Sequence, residues 1–573
     1  MAGTENYHPS MDHKFNARPA EHSHVETEIM SMNVKGYKFW IAGAARSGLA
    51  AARILKAHGA EIFVTDLNKI SDEVKTTLNE LQISYEEGQH SIDRMTREAQ
   101  CVVLSPSIPL DKHLPMAARA AGLPIVSEIE VASWFLPSKA FVVAITGTNG
   151  KSTTTHFAWQ LFEAAGRVSV ACGNYGKPFC EALLDPVGFD TFALELSSYQ
   201  LETTYSLHPN VSIFLNLQND HQARYGNMDE YLKAKWRLIS LTQADGLVII
   251  DESVLRRAIQ MGLPFPASPV VVMQGVMSND GGKMLRARLQ RSVEQSSLAQ
   301  NLPFSQNLNA KNDCLPKPTY GQLNDWPFEN IQSDKSLSVA WIEQNAASGS
   351  RLQFNVQATK RNGINISLQI AEPCLPGPHN QINIAVANLA AIFAGVPQQV
   401  IERQWESATS EYRHIAHRLE EVFPTSLSQA APNVKRKLRF INDSKATNVE
   451  STRVAVRSFS SSLRLLLGGE PKGDLYSDLS EFLGKNIVKI YPFGKAAKRI
   501  CEQLGHLNQF LSKEHPKMLD AAQQALEDAC DGDIILLSPG CASFDEFNNF
   551  EHRGDVFKEW VRQLEMECEI YDR

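Results

Sequence analysis

The sequence is first informative by what it lacks. Its nine cysteines include no C-x-x-C pair, so neither a disulfide framework nor a zinc site is expected, and a reducing cytosol suits them. No apolar run approaches the ~20 residues of a membrane span. The N-terminal stretch MAGTENYHPSMDHKFNARPAEHSH has no apolar signal core. A cytoplasmic protein without a membrane partner is the expectation. Positive charge is not in excess: the formal net charge is −8 at pH 7, which argues against a nucleic-acid or anionic-membrane surface. No segment repeats at a short fixed period. Two glycines are missing as well. ITGTNGKSTTTHF would follow the common phosphate-loop spacing G-x-x-x-x-G-K-[ST] only with glycine where Ile145 stands. The turn Gly43-Ala-Ala-Arg-Ser-Gly48 imitates a dinucleotide fingerprint, but Ala45 replaces its central glycine and impedes close approach of a pyrophosphate.

What is present is an ordinary globular composition, 43% hydrophobic and 21% charged over 573 residues, enough for about three or four domains. Residues 1–36 read as a disordered polar tail, with metal binding by His8, His13, His22 and His24 as the alternative. YKFWIAGAARSGLAAARILKAHGAEIFVTD then runs strand, glycine turn, alanine-rich helix and strand, a βαβ unit ending at Asp66. CVVLSPSIP and PIVSE extend it, giving a first domain over 37–138. A second block, 139–414, opens with the apolar strand at Phe141 and continues through TFALELSS, VSIFLNL and GLVIID. Continuously apolar strands fit a mainly parallel sheet covered on both faces. From about 276 to 350 the chain turns rich in Gln, Asn, Ser and Pro, which reads as a surface insertion. LQFNVQA and GINISLQIA return to strand, and LPGPHNQINIAVANLAAIFAGV to helix. The third block, 415–573, carries the strands LRFIND, RLLLGGE, VKIYPFG and DIILLSPG. The expected fold class is α/β in three domains, a Rossmann-like first block, a central block with a P-loop and a mainly parallel sheet, and a Rossmann-like α/β third block.

The phosphate loop comprises Gly147, Thr148, Asn149, Gly150, Lys151, Ser152 and Thr153, between a strand and a helix. Free backbone N–H groups and the helix dipole hold phosphate there. Lys151 would reach the β- and γ-phosphates, and the Ser152 hydroxyl would meet Mg²⁺. Glu195 closes a neighbouring strand, as a Mg²⁺ ligand or as a solvated strand end. Asp220 and His221 emerge at the same kind of edge, where open α/β sheets bind ligands, or else cap a loop. His379, Asn380 and Asn383 open a helix, with N-capping as the alternative.

Further on come AHRLE, FINDSKATN, LLLGGEPKGD and LLSPGCASFDEFNNFEHRG. In this order, after GTNGKST, the chain resembles the Mur ligase family of bacterial peptidoglycan synthesis from about Tyr37 to its end, insertion apart. That family's phosphate loop places glycine at Gly147 rather than two residues earlier. NDSKATN and SPGCASFDEF resemble its D-glutamate-adding branch. The resemblance implies an ATP-dependent ligase in which the terminal carboxylate of UDP-N-acetylmuramoyl-L-alanine is phosphorylated and the amine of D-glutamate displaces the phosphate. It implies two Mg²⁺ ions, ATP as co-substrate, small-molecule partners alone and a monomer. It puts Lys151 on the phosphates, and Ser152, Glu195, His221 and a carbamylated Lys235 on the metals. Asn174 meets the acceptor end, and Arg46, Ser47 and Asp66 the uridine nucleotide. Asn380, Asn383, Arg418 and Asp443 contact ATP, and Lys445 lines the catalytic cleft. His417, Thr447, Lys472, Ser543 and Phe550 receive D-glutamate. Ala223, Tyr175, Pro471 and the length of the insertion depart from the family pattern. The alternatives are another amide ligase such as a folylpolyglutamate synthetase, a non-catalytic nucleotide-binding regulator, and a dehydrogenase supported only by Gly43 to Asp66.

Overall fold

The structure is a computed structural model that describes residues 33–218, 224–264, 268, 270–277, 337–344, 351–358, 366–371, 378–406, 416–422, 426–428 and 435–571. His221, Asp220, Ala223, the histidines of the tail and most of the span read as an insertion lie outside the described residues. The chain divides into two compact units, Met1–Ala371 with Ile382–Gln404, and Glu372–Gln381 with Trp405–Arg573.

The first unit contains two sheets. One is five-stranded and parallel, in the order Ser84–Glu87, Glu61–Asp66, Lys38–Ala42, Cys101–Leu104, Ile125–Val126. The other is nine-stranded, in the order Ile366–Ala371, Arg351–Ala358, Leu337–Gln344, Val270–Met277, Leu247–Asp251, Val211–Phe214, Phe141–Thr146, Thr191–Glu195, Ser169–Gly173. It is parallel from Leu337–Gln344 onward, and the two strands beyond are antiparallel. The central strands are mostly apolar and, apart from half-buried Phe141, buried, as both-face coverage requires. One continuous apolar core joins the two sheets: Phe39, Ile41 and Leu55 share it with Ile129, Val131, Phe179 and Phe192. Fully burying each such large side chain contributes about 1.5–3 kcal/mol.

The span read as an insertion is not uniform. Strand Val270–Met277 runs into its start, and Leu337–Gln344, within it, pairs with that strand in parallel. The strand LSVAWIEQ is short and lies inside a span whose overall composition is rich in Gln, Asn, Ser and Pro, so reading the span by composition hid it.

The second unit is built on a five-stranded sheet, Glu420–Glu421, Arg439–Asn442, Ile534–Leu537, Leu463–Gly468, Ile487–Phe493, parallel except for its first, short strand. Ile534–Leu537 comes last in the chain yet lies between Arg439–Asn442 and Leu463–Gly468. The turns after these three strands therefore open side by side at one sheet edge, the place where α/β sheets bind ligands.

Candidate active site

Strand Phe141–Thr146 lies between Val211–Phe214 and Thr191–Glu195, so the loop Gly147–Gly150 leaves the sheet beside Glu195 and beside the segment after Phe214. Gly150 caps the helix Lys151–Ala164 with φ +83°, a conformation that side chains rarely adopt. A Cβ on Gly150 would come within 2.5 Å of Asn383 Oδ1, so Asn383, on the helix Pro378–Phe393, packs directly on the loop. Ser152 and Thr153 are buried at the first turn.

Two lysines converge on one carbonyl. Lys151 Nζ donates to Gly147 O at 2.9 Å and to Thr148 O at 2.8 Å. Lys235 Nζ donates to the same Gly147 O at 2.9 Å and to Thr146 Oγ1 at 3.3 Å, and it lies 4.8 Å from the Tyr231 ring centroid. Lys235 is almost wholly buried, on the helix Met228–Leu241. Among the described residues no group of three or more His, Cys, Asp or Glu side chains forms a metal cluster.

The loop is held from behind by residues that sequence reading passed over. Asn216 Oδ1 accepts from Thr148 N at 3.1 Å and from Asn149 N at 2.9 Å, while Asn216 Nδ2 donates to Asn149 O at 3.0 Å. Gln218 Oε1 accepts from Asn149 Nδ2 at 2.7 Å. Both lie in LNLQND, just ahead of the Asp220 and His221 singled out above, and a polar run at a strand end was their signal.

On the other side, Asn174 donates through its backbone N to Glu195 O at 2.9 Å and through Nδ2 to Glu195 Oε1 at 2.6 Å. Its turn, Gly173–Gly176, has both glycines in the left-handed region, and a Cβ on either would overlap a carbonyl, of Glu195 or of Ala171. Arg46 Nη2 donates to Gly176 O at 2.7 Å. Arg46 and Ser47 begin the helix Arg46–Ala57. Asp66 holds the glycine turn ahead of that helix, accepting from Ala44 N at 2.8 Å and from Asn68 N at 2.9 Å.

The second unit gathers the remaining candidates except Asn383. Asp443 is buried at the end of Arg439–Asn442; Ser538 Oγ donates to it at 2.7 Å and Leu419 N at 3.3 Å. Burial pushes its carboxyl up to about 7, against the hydrogen bond from Ser538 and the charge of Arg418. His379 is pushed down to about 4 by burial and by Arg418, and Asn380 beside it is buried. His417, at φ +64°, accepts at Nδ1 from Asn442 Nδ2 at 3.1 Å, and burial lowers its pKa. Its ring meets Phe550 edge-on, and Lys445 Nζ lies 5.1 Å from the Phe550 centroid. Lys472 Nζ donates to Thr447 Oγ1 at 3.2 Å. Ser543 follows Ala542, which exchanges backbone hydrogen bonds with Glu470, so its turn and that of Lys472 are stitched together.

Arg553 was also missed by residue-by-residue reading. Wholly buried, it donates to Ser444 Oγ at 2.9 Å, Ser444 O at 2.8 Å, and Cys541 O and Ala542 O at 3.1 Å. It thus ties the turn of Asp443 to the turn of Ser543. Its place in NNFEHRG beside Phe550 was the available signal.

Comparison with known proteins identifies the family. The Mur ligase middle domain matches residues 145–298, and the MurD N-terminal domain residues 43–113. The UDP-N-acetylmuramoylalanine–D-glutamate ligase of Salinibacter ruber is 30% identical over 536 residues, covering 91% of this chain and 97% of the relative. The ligase of the same name from Acidobacterium capsulatum is 30% identical over 92% of this chain, and that from Koribacter versatilis 29% over 93%. Among solved structures, UDP-N-acetylmuramate-alanine ligase MurC of Thermotoga maritima shares the fold at TM-score 0.51 and 15% identity, over 92% of this chain and 99% of its own.

Proposed function

Since the chain belongs to the Mur ligase family, in its UDP-N-acetylmuramoylalanine–D-glutamate ligase branch, we infer that it uses ATP to join D-glutamate to UDP-N-acetylmuramoyl-L-alanine in peptidoglycan precursor synthesis. The observation that carries the reading to this chain's own residues is the phosphate loop with Lys151 folded over it and Glu195 one strand away. A carboxylate is a poor acyl donor because oxide is a poor leaving group. Transfer of the γ-phosphoryl group to a carboxylate oxygen makes that oxygen a phosphate. The D-glutamate amine then adds to the acyl carbon, loses its proton, and the C–O bond to phosphate breaks, leaving ADP, phosphate and an amide.

The loop N–H groups and Lys151 hold the nucleotide phosphates. Ser152 and Glu195 are oxygen donors of the kind Mg²⁺ takes, few in number because substrate phosphates complete its shell. The metal would offset charge on the transferred phosphoryl group. We assign two ions, with His221 and Lys235 completing the set. Asn174 faces the acceptor carboxylate; Asn380, Asn383, Arg418 and Asp443 serve ATP, and Lys445 the cleft. Arg46, Ser47 and Asp66 serve the uridine nucleotide. His417, Thr447, Lys472, Ser543 and Phe550 receive D-glutamate. ATP and nucleotide-sugar substrates put the reaction in the cytoplasm, and we assign the enzyme as a monomer.

Lys235 is assigned as a carbamate. Two ammonium groups on one buried carbonyl repel, whereas a carbamate is an anionic oxygen ligand beside Lys151. Activity should fall in CO₂-depleted buffer and return with bicarbonate, and full activity of Lys235→Ala would remove the assignment. The overall reading is tested by phosphate release from ATP with UDP-N-acetylmuramoyl-L-alanine and D-glutamate, L-glutamate or no amino acid. Release that does not depend on D-glutamate would refute it.

A further inference from the structure

The turn Gly173–Gly176 presents Asn174 to Glu195, and one more side chain anchors it. Tyr175 OH lies 3.2 Å from His156 Nδ1, with the two rings edge to face at 6.3 Å between centroids and 78° between planes. His156 sits on the helix Lys151–Ala164, one turn beyond Ser152, so this contact joins the acceptor turn directly to the phosphate-loop helix. His156 is 8% exposed, and its other ring nitrogen, Nε2, has no hydrogen-bond partner among the described residues. Phe157 and Trp159 surround the ring edge-on. Burial pushes the imidazole down to about 4, so it is neutral at pH 7. A neutral ring with one nitrogen already without a partner depends on the hydrogen bond at the other. The opposite end of the turn is held by Arg46 at Gly176 O.

We propose that Tyr175 and His156 are a positioning pair that seats the acceptor turn on the phosphate-loop helix, so that Asn174 stays aligned with Glu195 and the acceptor carboxylate with the phosphoryl donor. The inference rests on the reading of Asn174 as the contact to the acceptor. The pair touches no reacting atom; it sets the distance between two groups that do. Packing by either ring alone would fill the space, whereas the hydrogen bond adds a directional tie from the middle of the turn to the helix, beside those that Asn174 makes to Glu195 and Arg46 to Gly176 O.

The test is steady-state kinetics of the full chain with each substrate varied in turn. Turnover by the unaltered enzyme with D-glutamate establishes the reading itself, and its absence would refute that reading without bearing on the pair. Given turnover, Tyr175→Phe keeps the ring and removes the hydroxyl. It should raise KM for UDP-N-acetylmuramoyl-L-alanine and lower kcat, each by roughly twofold, so that kcat/KM falls by roughly fivefold, the scale of one lost hydrogen bond. KM for ATP should stay unchanged. His156→Asn keeps a polar atom near the place of Nδ1 and should retain most activity, whereas His156→Phe should behave as Tyr175→Phe does. The double Tyr175→Phe/His156→Phe variant should be no worse than either single, because both remove the same bond. Unchanged kinetics of Tyr175→Phe overturn the proposal. So do losses that multiply in the double variant, or a fall in kcat alone that tracks loss of folded protein.

Discussion

Lys472 stands exposed and donates from its ammonium to the hydroxyl of half-buried Thr447. A hydrogen bond to a charged group contributes ~1.5–3 kcal/mol. If Lys472 reads the side-chain carboxylate of D-glutamate, Lys472→Met should raise KM for D-glutamate about tenfold or more, with KM for ATP unchanged. An unaltered D-glutamate KM and kcat/KM would sink the assignment. Glu128 makes a prediction of another kind. It is buried, its Oε1 accepts from Cys180 N at 2.6 Å, and burial pushes its carboxyl from 4.5 up to about 7. The folded state therefore keeps a proton between pH 4.5 and about 7 that the unfolded chain releases. Stability from this group is greatest at the acid side and declines as pH rises through that window, by up to about 3 kcal/mol. Glu128→Gln, measured by denaturant unfolding against pH, should remove that decline. Parallel curves for the two proteins across the window would show that Glu128 ionises normally.

The strand, glycine loop and helix over residues 141–164 were legible because strand, glycines, Lys-Ser and helix lie together in a single stretch of chain. The loop's support was not, because Asn216 lies 66 residues beyond Gly150 in the sequence. Only the parallel pairing of Phe141–Thr146 with Val211–Phe214 brings the two together. Asn216→Ala should remove the side-chain partner of both Asn149 N and Asn149 O, while Thr148 N keeps the backbone carbonyl of residue 216 at 3.0 Å. At roughly 1 kcal/mol for each hydrogen bond, binding of a non-hydrolysable ATP analogue should weaken by roughly 30-fold, measured by calorimetry. Equal affinities would mean that the loop holds its shape through the glycines alone. Arg553 poses the same difficulty in the second unit, where one guanidinium serves carbonyls from turns that are far apart in sequence.

The first and central sheets share one apolar core, so what reads along the chain as two domains packs as a single unit. The border strands of the polar span follow from the same packing. Val270–Met277 and Leu337–Gln344 are parallel, and a parallel connection needs a crossover of about a dozen residues or more. Replacing 278–336 by a flexible linker of about 15 residues should therefore leave D-glutamate-dependent phosphate release intact, since loop length adds little entropic cost. A deletion carried through residue 350 removes Leu337–Gln344 and should lower the thermal midpoint. Loss of turnover in the shorter deletion, with nucleotide binding retained, would point to a regulatory role for the span.

Local chemistry in the sequence was enough for the class of fold and for the strand, glycine loop and helix over residues 141–164. Continuous apolar strands, glycine turns and helix starts act over neighbouring residues and are written in consecutive letters. Pairing across the sheet was not so written. Lys151 and Lys235 meet on Gly147 O because one helix follows the loop and the other packs behind it. Tyr175 reads as a mere departure from a pattern until the fold places His156 beside it. Likewise Asp443 owes its raised pKa to burial, a property of everything packed around it and of no residue adjacent in the chain. Contacts between distant segments depend on which strands become neighbours, and that choice is made by the whole core at once.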